Sequence, residues 1–319
     1  MPDGKQTART VKRTCFVSLA CGALLVVVGA WFWSADNEPL PAPRLMVSAL
    51  RLSALHVQDR LLERWQIRDP QLGDIDFDVS RPMAEGHKPV VTIVGGRRSD
   101  ERLLATLGAP GDNVVVIYHW PSAIRNAHGL RVWLKGASLV RTINLVPAQI
   151  ATMQHWLATQ AFADSARLSL LGFSLGAQAV PAAEELAQRM AAPSAWLILA
   201  YGGAPLAALI ESDPRLGPSW LRGLLAPWLA RRFAACEPLL HLPHLRGQFL
   251  VLEGSGDHLV SLTARDNLWR AVPEPKQRIV LEGNHIGLGR ERAALLQAIV
   301  AASGAWLAAQ GAIHAMPSS

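Results

Sequence analysis

Residues 167–176 read Arg-Leu-Ser-Leu-Leu-Gly-Phe-Ser-Leu-Gly, and they carry the strongest chemical signal in the chain. Ser174 is the centre of a G-x-S-x-G pentapeptide, Gly172 to Gly176, after an apolar run and before a helix-forming stretch, 177–190. In that setting the pentapeptide predicts a nucleophile elbow. A serine on a sharp strand-to-helix turn crowds its neighbours, so only glycine fits two positions before and two after it. The turn also sets the serine oxygen beside the first amides of a helix, where negative charge is stabilised. Taken alone, the pentapeptide also suits a plain Gly-rich turn before a core helix. Pro181 removes a backbone donor inside the helix and predicts a kink there.

A serine hydroxyl needs a base to take its proton and an acid to orient that base. The run 248–252, Gln-Phe-Leu-Val-Leu, ends in Glu253-Gly254-Ser255-Gly256-Asp257-His258, which places Asp257 on a Gly-rich loop after a strand. Asp257 is the candidate acid, with Glu253 as the fallback, and Gly256-Asp257 would also suit an ordinary turn. The run 278–282, Arg-Ile-Val-Leu-Glu, ends in Gly283-Asn284-His285, so His285 also follows a strand and is the candidate base. Among the ten histidines, His258 is its main competitor. The order Ser, acid, His is that of the elbow-bearing hydrolases.

A developing oxyanion needs two amide donors. One is expected from Leu175, the residue after the nucleophile. The other is expected at Gly96 or Arg97, because Val90-Val91-Thr92-Ile93-Val94 reads as a β-branched strand running into Gly95-Gly96. A phosphate-binding glycine loop is the rival for Gly95-Gly96, but neither G-x-G-x-x-G nor a P-loop lysine accompanies it.

Over about residues 88–300 the chain resembles the α/β-hydrolase superfamily, and within it the Bem46-like branch of membrane-anchored serine hydrolases. The segments that carry the likeness are Gly172–Gly176, the stretch from Arg232-Phe233 through Leu245 into Phe249–Leu252, Asp257–Val260, and Gly283-Asn284-His285. The resemblance implies a triad of Ser174, Asp257 and His285 and no cofactor. Gly95-Gly96-Arg97 stands where that family shows His-Gly-Asn, and Tyr118-His119-Trp120-Pro121-Ser122 replaces its Tyr-Arg-Gly-Tyr-Gly motif.

Elements must bring these residues together. Apolar strand patterns at 90–94, 113–119, 167–171, 195–200, 248–252 and 278–282 alternate with helical patterns at 99–107, 144–161, 175–191, 261–271 and 290–309. Such alternation predicts a mostly parallel sheet covered by helices on both faces, and the resemblance implies that this sheet is that of the α/β-hydrolase fold. Its ligands bind beyond the carboxyl ends of the strands. Gly96, Ser174, Asp257 and His285 all fall at such ends. Residues 202–247 are long for a connection and predict a small helical cap, whose Trp220, Leu224, Trp228 and Phe233 either meet an acyl substrate or fill the cap's own core. The segment 120–143 is read as a pocket rim or a surface loop.

Upstream, 74–80 alternates Asp-Ile-Asp-Phe-Asp-Val and predicts a half-exposed edge strand, while 45–67 has leucines and Trp65 at helical spacing and predicts an amphipathic helix, packed on the domain or on a membrane surface. Residues 36–44, with Pro39, Pro41 and Pro43, read as a stiff linker. The nineteen residues from Cys15 to Trp33 carry no charge, spanning about 28 Å as a helix. Lys5, Arg9, Lys12 and Arg13 precede the run and Asp36 and Glu38 follow it, which predicts a cytoplasmic amino terminus and an exported body. A cleaved signal peptide is the alternative, and Trp33-Ser34-Ala35 is a poor cleavage site. A lipoprotein reading through Cys21 fails on Ser18 and on the apolar run that continues past the cysteine.

The organisation expected is therefore a transmembrane signal anchor in 1–35, a linker with accessory elements in 36–85, and a hydrolase domain in 86–312 capped by 202–247. Arginine-rich, alanine-rich composition points to a GC-rich bacterial genome, and with it to the periplasmic side of an inner membrane. The chain of 319 residues is half apolar with a net charge of +6, enough for one sizeable domain. The charge forms no basic block interleaved with aromatics, which argues against nucleic acid. Two of three cysteines, Cys15 and Cys21, fall in the anchor, so Cys236 has no disulfide partner in the exported part. No Cys/His cluster has ligand spacing, so no metal is expected. Esterase, thioesterase or lipase chemistry on a small-molecule or lipid ester leads. Acyl transfer through the same acyl-enzyme, or a non-catalytic binding protein of this fold, is the alternative.

Overall fold

The computed structural model describes residues 41–96, 110–126, 136–216, 218–285 and 292–315. Its frame is set by strands that carry continuous apolar runs. Val114–His119 (β5 in chain order) is buried along its whole length. Val114, Val116 and Tyr118 face one core, Val115 and Ile117 the other. The same split divides Ala163–Phe173 (β6), where Leu168 and Leu170 oppose Leu171 and Phe173, and Gln248–Gly254 (β8), where Phe249 and Val251 oppose Leu250 and Leu252. Strands buried on both faces need continuous apolar runs.

The remaining strands are Ala49–Val57 (β1), Arg60–Asp69 (β2), Gly73–Pro82 (β3), Lys88–Val94 (β4), Trp196–Ala200 (β7) and Lys276–Leu281 (β9). Among the described residues the nine form one sheet in the order β1-β2-β3-β5-β4-β6-β7-β8-β9. The pairs from β4/β5 through β8/β9 are parallel, and those among β1, β2, β3 and β5 antiparallel.

The described helices are Ser122–Arg125 (α1), Gly136–Ala158 (α2), Leu175–Arg189 (α3), Leu206–Ser212 (α4), Ser219–Arg232 (α5), Pro238–His241 (α6), Leu262–Ala271 (α7) and Arg292–Ala309 (α8). Val146, Ile150 and Met153 of α2, Val180 and Ala183 of α3, and Leu268 of α7 share one core. Leu295, Ile299 and Trp306 of α8 fill the other. This is the two-faced, mostly parallel arrangement that the alternation of elements predicts. The expected helix at 144–161 begins earlier, at Gly136, and α3 runs through Pro181 to Arg189. The expected helix at 99–107 lies outside the described residues, as do His128, Trp133 and Lys135.

Two upstream expectations are corrected. Residues 45–67 form no amphipathic helix; they build β1 and most of β2, turning at Gln58-Asp59. Spacings of seven and three residues among Leu45, Leu52, Leu55, Leu62 and Trp65 imitate a helix face, yet the charges between them pair across strands. Arg51 and Arg81 hold Glu63 at 2.6 and 3.0 Å, and Arg64 holds Asp78 at 2.8 Å. Trp65 and Phe77 clasp Trp156 of α2, with ring centroids 5.0 and 5.2 Å apart, which fixes the hairpin to the core. Nor is β3 a half-exposed edge strand. It lies between β2 and β5, with Ile75, Phe77 and Val79 fully buried.

The expected anchor, residues 15–33, lies outside the described residues. No helix among the described residues is long and apolar enough to cross a membrane.

Candidate active site

Ser174 sits between β6 and α3 at φ 51° and ψ −111°, a left-handed backbone that a non-glycine residue adopts only under constraint. The constraint is visible. The Ser174 amide donates to the Ala200 carbonyl at 2.8 Å, and the Ala177 amide donates back to the Ser174 carbonyl at 3.0 Å. A Cβ on Gly172 would lie 2.7 Å from the Gly176 carbonyl oxygen, and one on Gly176 would lie 1.9 Å from that of Val94. The glycines thus let the first turn of α3 press against the end of β4, as the elbow reading requires.

Two further strand ends complete the constellation. Asp257 follows β8 and His285 follows β9, and the two loops are stitched directly together. The Ser255 amide donates to the Leu281 carbonyl at 2.8 Å, and the Gly256 amide to that of Gly283 at 2.9 Å. Gly254 is required there, because a Cβ would meet the Tyr201 ring at 2.7 Å and the Gly283 carbonyl at 2.9 Å.

The side chains then meet in series. Ser174 Oγ lies 2.8 Å from His285 Nε2, and His285 Nδ1 lies 2.8 Å from Asp257 Oδ2. His285 and Asp257 are buried, at 3% and 5% exposure. The second carboxylate oxygen, Oδ1, accepts from the amides of Leu259 and Val260 at 2.8 and 3.0 Å. Burial pushes the Asp257 carboxyl up, but the His285 bond and charge and the two amides outweigh it and hold it below the ordinary aspartate value. A carboxylate that stays charged on Nδ1 leaves Nε2 of the neutral ring free to accept the serine proton.

The competing candidates fall elsewhere. Glu253 is buried on β8 and paired with Arg278 at 2.7 Å, whereas His285 Nδ1 is bonded to Asp257. His258 lies at the surface beside Asp257. Leu175 opens α3, and Gly96 follows β4, whose Val94 pairs with Gly172 of β6, so both expected amide donors stand at neighbouring strand ends. Arg97 lies outside the described residues.

Two residues joined the site without having been singled out for it. Tyr201, at the end of β7 with φ 58°, sets its ring edge-to-face on the His285 imidazole, centroids 5.7 Å apart. Burial and the Asp257 charge push its phenol up to about 12. Its position after a strand and before Gly202-Gly203 was the available signal. Trp120, read as rim or surface loop, is instead buried at 2% exposure, and its indole Nε1 donates to the Gly95 carbonyl at 2.8 Å.

The segment 202–247 contains α4, α5 and α6. It is tied to the Asp257 loop, because Ser212 Oγ of α4 donates to the Leu259 carbonyl at 2.9 Å. It is tied to α3 through His241 and Glu185, 2.6 Å apart. Among the described residues no three His, Cys, Asp or Glu side chains gather to hold a metal. Cys236 is buried, its thiol pushed up to about 12 by burial.

No family model and no curated protein sequence matches the chain. Solved structures do. Acetyl xylan esterase 1 from Thermoanaerobacterium sp. JW/SL YS485 is 14% identical at a TM-score of 0.57, covering 82% of this chain and 95% of its own. An acetyl xylan esterase from Paenibacillus sp. R4 is also 14% identical at 0.57, covering 84% and 90%. A hyperthermophilic esterase from the archaeon Pyrobaculum calidifontis is 14% identical at 0.50, covering 86% of each chain. At that identity the likeness is one of architecture, and the chain has the α/β-hydrolase fold that these esterases share.

Proposed function

We propose that the protein is a serine hydrolase that cleaves carboxylic esters through an acyl-enzyme. The observation that carries this reading is the continuous series Ser174–His285–Asp257, each link 2.8 Å, set on a strained elbow. His285 Nε2 takes the hydroxyl proton as Ser174 Oγ attacks the acyl carbon, and Asp257 holds the ring in the tautomer that makes this possible. The amides of Leu175 and Gly96 receive the oxyanion. The protonated imidazole returns its proton to the leaving alkoxide, and an alcohol departs. Water then repeats the sequence on the acyl-enzyme and releases the acid.

Esters are favoured over other acyl compounds by the esterases that share the fold, two of which act as acetyl xylan esterases. Thioesters meet the same machinery, and an alcohol or amine in place of water would make the reaction acyl transfer. The apolar content of the cap segment 202–247 supports an apolar acyl group. The charge-free run 15–33, with the Bem46-like resemblance, supports a tethered enzyme working on the periplasmic side of a bacterial inner membrane.

The test is labelling by a fluorophosphonate, which captures only an activated serine. The parent labels and hydrolyses p-nitrophenyl esters, while Ser174→Ala and His285→Ala do neither and keep the parent's circular dichroism. Labelling of Ser174→Ala would overturn the assignment.

A further inference from the structure

We infer that Trp120 is a positioning residue that sets the oxyanion hole by fixing the orientation of the Gly95–Gly96 peptide. The inference rests on the hydrolase reading above and assigns a new role within it. Two consecutive glycines have no side chains to hold a loop, and glycine populates both signs of φ with similar ease. A donor built on such a pair needs an external anchor. The indole Nε1–H of Trp120 donates to the Gly95 carbonyl at 2.8 Å, and this bond is buried. The Gly95–Gly96 peptide is trans, so its carbonyl and the Gly96 N–H point in opposite directions.

The Gly95 carbonyl faces the packed interior. Its oxygen lies 3.0 Å from where a Cβ on Gly176 would stand, and the indole that holds it is 2% exposed. Anchoring the carbonyl inward turns the Gly96 amide the opposite way, and it is this direction that we assign to the oxyanion formed at Ser174. A flipped peptide would present an oxygen to the oxyanion in place of a donor.

The indole is itself held. Its ring packs edge-on against Tyr118, centroids 6.0 Å apart, and the Tyr118 hydroxyl donates to Gln149 of α2. The Gln149 amide in turn donates to the Leu72 carbonyl at 2.6 Å. A strand, a helix and the turn between β2 and β3 thus fix the direction of one N–H bond.

The test removes that N–H. Trp120→Phe removes it with part of the ring. Benzothienylalanine at position 120 keeps the bicyclic shape, exchanges N–H for sulfur, and guards against a folding failure of the first variant. Full-length protein in detergent is assayed with p-nitrophenyl acetate and with an alkyl boronic acid, whose adduct with the serine mimics the tetrahedral oxyanion. Removal of one oxyanion donor typically lowers kcat about 100- to 1000-fold. Because the amide survives and only its orientation is released, we expect kcat to fall about 10- to 100-fold with KM within twofold. Boronate affinity should fall by the same factor as kcat/KM, which a packing role would not produce. Parent-like kcat and boronate affinity in the benzothienylalanine protein would overturn the inference and leave the hydrolase reading standing. A folded parent that neither turns over nor labels would overturn both.

Discussion

Asp257 has one hydrogen bond to His285 and two from backbone amides, and each bond has a different consequence. The amides of Leu259 and Val260 hold the carboxylate in place whatever its partner does. The bond to Nδ1 decides which ring nitrogen faces Ser174. Asp257→Asn preserves the shape and loses the charge, so it should lower kcat about 10³- to 10⁴-fold with little change in KM, the size of effect seen when a triad aspartate is neutralised elsewhere. Steady-state kinetics on the folded variant check this. The sign of the stability effect follows from the depressed carboxyl. Its contribution is complete above the unfolded aspartate value of about 3.8 and is lost as pH falls through the lower folded value. Urea unfolding from about pH 5 down to about pH 2 should therefore show a shallower acid limb in the variant.

The helices carry consequences that no single site residue reveals. Glu184, in the last turns of α3, is fully buried, and the Ser194 amide ahead of β7 donates to its Oε1 at 3.0 Å. Ser194 Oγ accepts from Gln154 of α2 at 2.9 Å, and Gln154 accepts from Thr92 of β4 at 2.8 Å. A polar thread thus joins α3 to the strand that leads into Gly95. Burial pushes the Glu184 carboxyl up to about 8, against the bonds from Gln188 and Ser194 that favour its charged form. The folded state then holds a proton that the unfolded state releases near its ordinary value of about 4.5. Stability should fall as pH rises between those values, by up to about 1.4 kcal/mol per pH unit. Glu184→Gln, which cannot ionise, should flatten that slope, and denaturant titrations at pH 5.5, 6.5 and 7.5 measure it. A slope equal to that of the parent would assign the dependence to another group.

The whole molecule raises the question of where this chemistry is done. The proposed organisation is an anchor in 1–35, accessory elements in 36–85 and a hydrolase domain in 86–312. The β1–β2 hairpin extends the antiparallel end of the sheet, and Arg44 just ahead of it is bound to the domain, its amide on Thr152 at 3.0 Å and its guanidinium on Asp69 at 2.9 Å. The chain leaving the proposed linker therefore enters the fold at once. Full-length protein should stay in the membrane pellet through alkaline carbonate, and deletion of residues 15–33 should release a fluorophosphonate-labelled enzyme to the supernatant. Full-length protein recovered in the soluble fraction would remove the tether from the proposal.

The local signals of the sequence were sufficient wherever chemistry and backbone coincide. Gly172, Ser174 and Gly176 could be read because a sharp strand-to-helix turn admits few residues. The β-branched and leucine-rich runs of β4, β6 and β8 could be read because both faces of those strands are buried. The placement of Asp257 and His285 after strands followed from the same pattern. What only the tertiary structure decided depends on partners distant in the chain. Whether 45–67 forms a helix or a hairpin was decided by β3 and Trp156, since leucine spacing alone fits either. The relegation of Glu253 required Arg278 beside it. The burial of Trp120 and its bond to Gly95 could not be seen locally, because a hydrogen bond across 25 residues leaves no periodicity in the sequence.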